Sequence, residues 1–271
     1  MMGRLFSRKK NGEEMLNDTL QEKPGRFTRA DGRLPDALRV VSFEMGFNRY
    51  AEGSVLTRYG NTVVLCNASV EETVPPFMRG EGRGWVTAEY AMLPRAGQTR
   101  SARDVSRGRV NGRSCEIQRL VGRSLRSVMD LEALGERTII IDCDVLQADG
   151  GTRTASVTGG CLALELALAR LRERDLIATF PLKERVAAVS VGLVAGAALL
   201  DLDYGEDSQA VVDMNFVVTQ SGKFVEIQGT GEEAPFSEED FMALRTLALR
   251  GCRQLLDLQR SAFESQMGVK G

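Results

Sequence analysis

Short strand-like runs fall into two blocks, with a helix–strand–helix stretch between them, and this order leaves few folds open to the chain. Residues 38–45, 53–59, 61–70 and 85–92 read as strands. Gly60-Asn61 between the second and third predicts a tight hairpin turn. Residues 114–134 predict one helix, because Ile117, Leu120, Val121, Leu125, Val128 and Met129 recur every three or four positions and form a single apolar stripe. Gly135 ends it. A strand over 138–147, a Gly150-Gly151 turn and a helix from about 154 to 173 follow. The second block has strands at 186–194, 198–203, 211–218 and 223–228. Ser237 with Asp240 then caps a last helix running to about 263. Such an order predicts an α/β or α+β fold of mixed sheets, not a regular parallel array.

The chain has 271 residues, enough for one large domain or two packed lobes. No apolar run approaches the roughly 20 residues of a membrane span, so no membrane partner is expected. Residues 1–25 mix Arg4, Arg8, Lys9 and Lys10 with Glu13, Glu14 and Asp18 and have no apolar stretch. They match neither a transit nor a signal peptide and read as a flexible tail, with order beginning near Arg26. Five cysteines, none in a Cys-x-x-Cys pair, predict reduced, mostly buried thiols in a cytoplasmic protein.

There is no histidine. Ser-His-Asp and Cys-His catalysis, His-based metal sites and imidazole proton shuttles are therefore excluded. Any chemistry must rest on carboxylates, Arg, Lys, hydroxyls or a hard metal ion. The charge distribution narrows this further. The net charge is −2, yet the segment from Arg79 to Arg126 holds eleven Arg, no Lys and four acids, a balance of +7 that leaves −9 elsewhere. A guanidinium fork binds phosphate oxygens bidentately, which suits a localised polyanion site. Inter-subunit salt bridges are the alternative. The long loop over 94–112, rich in Arg, Gly and Ser, is either functional or ordered by a partner.

Four groups of residues could carry chemistry. Asp149-Gly150-Gly151-Thr152-Arg153 sits between a strand and a helix. Its glycines permit close backbone approach, and the helix start offers N–H groups to an anion. It is either a phosphate cradle or an ordinary glycine turn with a Thr cap. Arg113, where the Arg-rich loop enters its helix, could add a second positive charge or simply face solvent. Asp201, Asp203, Glu206, Asp207 and Asp213 gather beside apolar residues. There, Asp207 and Asp213 could hold Mg²⁺ or protonate a leaving oxygen. Asp142 and Asp144 share one strand face and read as a structural pair facing Arg residues, with a metal site as the rival. Phosphorolysis explains why such parts would occur together. Arg and helix-end N–H groups let a phosphate dianion approach an RNA phosphodiester, and a metal or acid stabilises the departing 3′ oxygen.

Several stretches then resemble ribonuclease PH: Ala51-Glu52-Gly53-Ser54-Val55-Leu56, Gly84-Trp85-Val86-Thr87-Ala88-Glu89-Tyr90, Met92-Leu93-Pro94-Arg95, Glu116-Ile117-Gln118-Arg119-Leu120, residues 142–156, Glu206-Asp207-Ser208 and Asp213-Met214-Asn215. The resemblance spans Arg26 to the C-terminal helix. It implies a two-lobed α+β fold over 26–271, with lobes of about 26–180 and 181–271. The chain would be a phosphorolytic nucleotidyltransferase that trims the 3′ ends of tRNA precursors, and of ribosomal RNA as a further substrate, releasing nucleoside diphosphates. Inorganic phosphate is the implied co-substrate and Mg²⁺ the implied metal. Phosphate binding falls on Arg113, Gly151, Thr152 and Arg153, the catalytic and metal carboxylates on Asp207 and Asp213, and RNA contacts on Arg95, Arg100, Arg103 and Arg119. A homohexameric ring, a trimer of dimers, is implied as well. Relatives usually carry a histidine where this chain has Arg49-Tyr50, and many carry one at Gly97-Gln98. Neither is a phosphate or carboxylate position, so these departures bear on RNA contacts or ring assembly. Two rival readings stand beside this one: a silent ring subunit that only threads RNA, and a Mg²⁺-dependent hydrolytic exoribonuclease. Only phosphorolysis requires a pocket for a free anion.

Overall fold

A computed structural model describes residues 28–103, 108, 111–232 and 234–268. The tail expected at 1–25 and part of the Arg-rich loop (104–107 and 109–110) lie outside the described residues. The first block forms a five-stranded sheet of β1 (Val41–Met45), β2 (Gly53–Tyr59), β3 (Thr62–Glu71), β4 (Trp85–Met92) and β5 (Thr138–Gln147), in the order β1-β2-β3-β5-β4. Tyr59 pairs with Thr62 across the predicted hairpin. Every pairing is antiparallel except β4 with β5, which are parallel because the chain crosses over through α1 (Gly112–Ser127). The second block forms an antiparallel sheet of β6 (Val186–Val194), β7 (Ala197–Leu200), β8 (Val212–Thr219) and β9 (Phe224–Gly231), in the order β7-β6-β8-β9. The fold is α+β with two mixed-composition lobes of sheet and helix.

Helix α3 (Thr152–Glu173) packs against β2, β3 and β5 on one side and β6 and β8 on the other, so both sheets share one apolar core. Residues 154–169 of α3 are buried without a break, and its sequence therefore shows no amphipathic face. By length and composition α3 could cross a membrane, which corrects the expectation that no run is long enough. Its apolar window is nevertheless 94% buried inside the fold, as befits a core helix. The contact with β2 is close. A Cβ on Gly53 would sit 1.8 Å from the Ala163 carbonyl oxygen, so only glycine fits there. Helix α5 (Glu238–Met267) opens with a capping box between Ser237 and Asp240 and covers β6, β7 and β1.

Two elements depart from expectation. The helix foreseen over 114–134 is broken: α1 ends at Ser127 and α2 (Leu131–Leu134) restarts after Asp130, whose side chain accepts from the Ala133 N–H at 3.1 Å. The break is tied to residues 181–183, since Asp130 N–H donates to Pro181 O (2.7 Å) and Lys183 N–H to Val128 O (2.8 Å). The strand foreseen over 198–203 stops at Leu200, because Asp201 takes φ = 55°, outside any strand geometry. A short helix, α4 (Tyr204–Asp207), follows. Four of the five cysteines are buried and all are free. Cys66 and Cys143 are cross-strand partners whose thiols both donate to the Ser156 carbonyl.

Candidate active site

Strand β5 delivers the chain to the tip of α3 through Asp149-Gly150-Gly151. Both glycines have positive φ (75° and 66°), and Gly151 caps α3 without a side-chain hydrogen bond. The first N–H groups of a helix have no intrahelical acceptor, and here no side chain fills that role, so the end of α3 suits an anion. Thr152 is held by a 2.8 Å hydrogen bond between its hydroxyl and that of Tyr90 on β4. The Arg153 guanidinium is aimed by Glu116 Oε1 (3.3 Å) and Gln228 Oε1 (2.8 Å), and Gln228 in turn donates to Glu116 (2.9 Å). Arg113 is exposed near the start of α1, where the Asn111 side chain accepts from its N–H at 3.1 Å.

The carboxylates arrive from the other lobe. Asp207 ends α4 and Asp213 lies on β8. Arg113, Arg153, Asp207 and Asp213 all line one cavity of about 810 Å³. Burial, and then the neighbouring Asp207 charge, push the Asp213 carboxyl up to about 6, against the lowering effect of Arg153. Burial raises Asp207 too, while Arg113 and Arg153 pull it down. Asp213 Oδ1 is buried and has no hydrogen-bond partner. A second cavity of about 700 Å³ is lined by Gly150, Gly151 and Thr152 together with Arg95, Gln98 and Tyr204, and it shares Arg113 and Asp207 with the first.

Not all the nominated residues converge. Arg95 lines the second cavity. Arg100, Arg103 and Arg119 are exposed and line neither. The acidic cluster divides by role. Asp201 is fully buried on Arg39, Glu206 is paired with Arg29, and Asp203 caps α4, so only Asp207 and Asp213 face the cavity. The expectation that Asp142 and Asp144 face Arg residues is corrected. Sheet register sets Asp142 between Glu89 and Asn67, and no ion pair among the described residues involves either aspartate. Burial, then Glu89, push Asp142 up to about 6. No group of three or more Asp, Glu, Cys or His suited to a metal occurs among the described residues, so any cation at Asp207 and Asp213 rests on two carboxylates. Tyr90, Glu116, Gln228 and Arg39 escaped the sequence reading as site residues, because their roles depend on partners far along the chain.

Two lobes that bring an uncapped helix end and a carboxylate pair to two adjoining cavities, joined at Arg113 and Asp207, define a known class. The family model described as 3′ exoribonuclease family, domain 1, matches residues 37–169, and domain 2 matches residues 184–251. The chain belongs to this 3′ exoribonuclease family. More particularly, it is 57% identical over 236 residues to Ribonuclease PH of Bacillus subtilis (strain 168), covering 87% of this chain and 96% of the relative. Ribonuclease PH of Bacillus velezensis gives the same figures. Among solved structures, rice (Oryza sativa) Rrp46 superposes with a TM-score of 0.71 at 21% identity, over 87% of this chain and 100% of the other. The Archaeoglobus fulgidus exosome with RNA bound to the active site gives a TM-score of 0.71 at 23% identity, over 87% and 92%. At such identities these structures bear on the fold alone.

Proposed function

We propose that this chain is a phosphate-dependent 3′–5′ exoribonuclease that trims tRNA precursors, and ribosomal RNA as a further substrate, releasing nucleoside diphosphates in the manner of a nucleotidyltransferase. The observation that carries this reading is the single cavity shared by Arg113, Arg153, Asp207 and Asp213. Its amino-acid chemistry matches a reaction between two phosphates.

Inorganic phosphate binds between the Arg113 and Arg153 guanidiniums and the N–H groups at the start of α3, which neutralise it beside the RNA backbone. One of its oxygens attacks the phosphorus of the terminal phosphodiester. The bond from phosphorus to the 3′ oxygen of the preceding nucleotide breaks, and that oxygen leaves as the new RNA end. Glu116 and Gln228 keep Arg153 aimed at the cavity, so its fork is organised before phosphate arrives. Asp207 and Asp213 would hold Mg²⁺. The buried Asp213 Oδ1, which has no hydrogen-bond partner, would suit a hard cation. Bound there, the ion would supply charge stabilisation to the departing oxygen. A second reading, in which Asp213 protonates that oxygen, draws on its elevated pKa near 6.

Arg95 on the second cavity, with Arg100, Arg103 and Arg119 outside it, would guide the RNA 3′ end. A homohexameric ring would bring these arginines around a shared opening. The lobes would divide near residue 180, in line with the separate matches at 37–169 and 184–251. Five free thiols favour a reducing, cytoplasmic setting.

Arg113→Ala and Arg153→Ala should each raise the phosphate KM by about ten-fold or more, since each removes a charged hydrogen-bond donor. Asp213→Asn should slow turnover by about a hundred-fold or more with RNA affinity kept. Steady-state trimming of a 3′-extended tRNA checks both. An Asp213→Asn enzyme with the wild-type rate would refute the carboxylate assignment.

A further inference from the structure

The phosphate turn does not hold its own shape. Asp149-Gly150-Gly151 passes through two successive positive-φ residues, and a peptide flip there would aim a carbonyl, not an N–H, at an anion. The carbonyls are occupied elsewhere. Arg39 Nη1 donates to Asp149 O at 2.5 Å, and Thr62 Oγ1 donates to Gly150 O at 2.6 Å while accepting from Asp149 N–H at 2.9 Å. The fork also reaches the other lobe, Nε donating to Asp201 Oδ2 at 3.1 Å and Nη2 to Asp201 Oδ1 at 2.7 Å, while Nη2 keeps a longer contact to Gly150 O at 3.4 Å. Arg39 N–H also donates to Asp201 Oδ2, at 2.8 Å. The side chains of Arg39 and Asp201 are 5% and 0% exposed.

Asp201 is the positive-φ residue that starts the chain toward α4 and Asp207. A Cβ on Gly150 would lie 2.6 Å from both Asp203 C and Leu202 O, so the phosphate turn and the segment leading to Asp207 touch backbone to backbone. One guanidinium therefore spans both halves of the site. Asp201 is its paired carboxylate.

We propose that Arg39, anchored by Asp201 and seconded by Thr62, is a positioning residue that fixes the phosphate turn with the Gly150 and Gly151 N–H groups toward the cavity and in register with the carboxylate-bearing segment. The proposal rests on the phosphate-dependent reading above. Lysine in place of Arg39 keeps the charge but loses the fork, and it cannot hold a carboxylate and a turn carbonyl at once in the same geometry. Phosphate affinity should then fall while RNA affinity, set by arginines elsewhere, does not.

The test is titration of wild-type protein, Arg39→Lys and Thr62→Val with inorganic phosphate by calorimetry, alongside the phosphate KM, RNA affinity and melting temperature. Arg39→Lys should weaken phosphate binding on the order of ten-fold and Thr62→Val several-fold, with matching rises in phosphate KM and RNA affinity within about two-fold. A merely structural role would lower the melting temperature and the active fraction while leaving phosphate affinity at the wild-type value, and that result would overturn the proposal. If Arg39→Lys does not fold, Thr62→Val decides alone, because valine keeps the branched shape on β3 and exchanges the hydroxyl for a methyl; unchanged phosphate affinity there would refute the idea. A wild-type protein that binds phosphate but releases no nucleoside diphosphate would instead sink the reading of function, and the binding comparison would still judge Arg39.

Discussion

In the proposed mechanism, Asp213 concentrates the chemistry in one side chain. Burial, and then the Asp207 charge beside it, push its carboxyl up to about 6, above the ordinary aspartate range. If it holds Mg²⁺, only the ionised form works, so phosphorolysis should rise with pH through about 6. Ten-fold more Mg²⁺ should move that midpoint to lower pH, since metal and proton compete for the same oxygen. Rates of tRNA trimming from pH 5 to 8 at two Mg²⁺ concentrations check this. A rate that falls as pH rises through 6 would assign Asp213 as proton donor instead. Part of this was legible in the sequence: a chain without histidine must use acids, and Asp207 and Asp213 sit among apolar residues. Which of the five neighbouring acids face the cavity was not. Asp201 and Glu206 are claimed by Arg39 and Arg29, more than 160 residues away in sequence, and no local pattern announces such partners.

Elements were readable where a single periodicity ruled. Strands Trp85–Met92 and Thr138–Gln147 match the expected bounds and alternate buried with more open positions, whereas Gly53–Tyr59, buried at all but Arg58, matches them through its flanking turns. The helix over 114–134 hid its break, since Val128 and Met129 continue the apolar stripe and only the contacts with Pro181 and Lys183 show why the chain turns there. Helix α4 is four residues long, too short for any period, and rests on its Asp203–Glu206 capping box and the Arg29 pair. On the outer face of β4 and β5, Glu89, Asp142 and Asp144 lie close together. Asp142 is more readily protonated in the folded chain (near 6) than in the unfolded one (3.8). Rising pH therefore costs stability across that window, and the loss is complete above 6. Asp142→Asn should stabilise the protein by roughly 1 kcal/mol at pH 7.5, allowing for solvent screening of a half-exposed group, and by only a small part of that near pH 4. Urea unfolding at both pH values measures this. A variant less stable than wild type at pH 7.5 would show that Asp142 has a partner that outweighs the repulsion.

At the scale of the whole molecule, the fold joins two lobes through one buried helix, and in the proposed mechanism the uncapped start of that helix is the anion site. The same element thus serves stability and chemistry, and the second lobe brings the carboxylates to it. The uneven charge fits this plan: the +7 segment supplies Arg113 and Arg95 to the cavities, on a chain that is acidic elsewhere. The most direct measurement is product analysis after incubating the protein with a 3′-extended tRNA and Mg²⁺, with and without inorganic phosphate. Nucleoside diphosphates formed only with phosphate are the predicted result. Nucleoside monophosphates formed without phosphate would make the enzyme a hydrolase, and bound but untrimmed RNA under both conditions would make it a silent ring subunit. Either outcome would contradict the account.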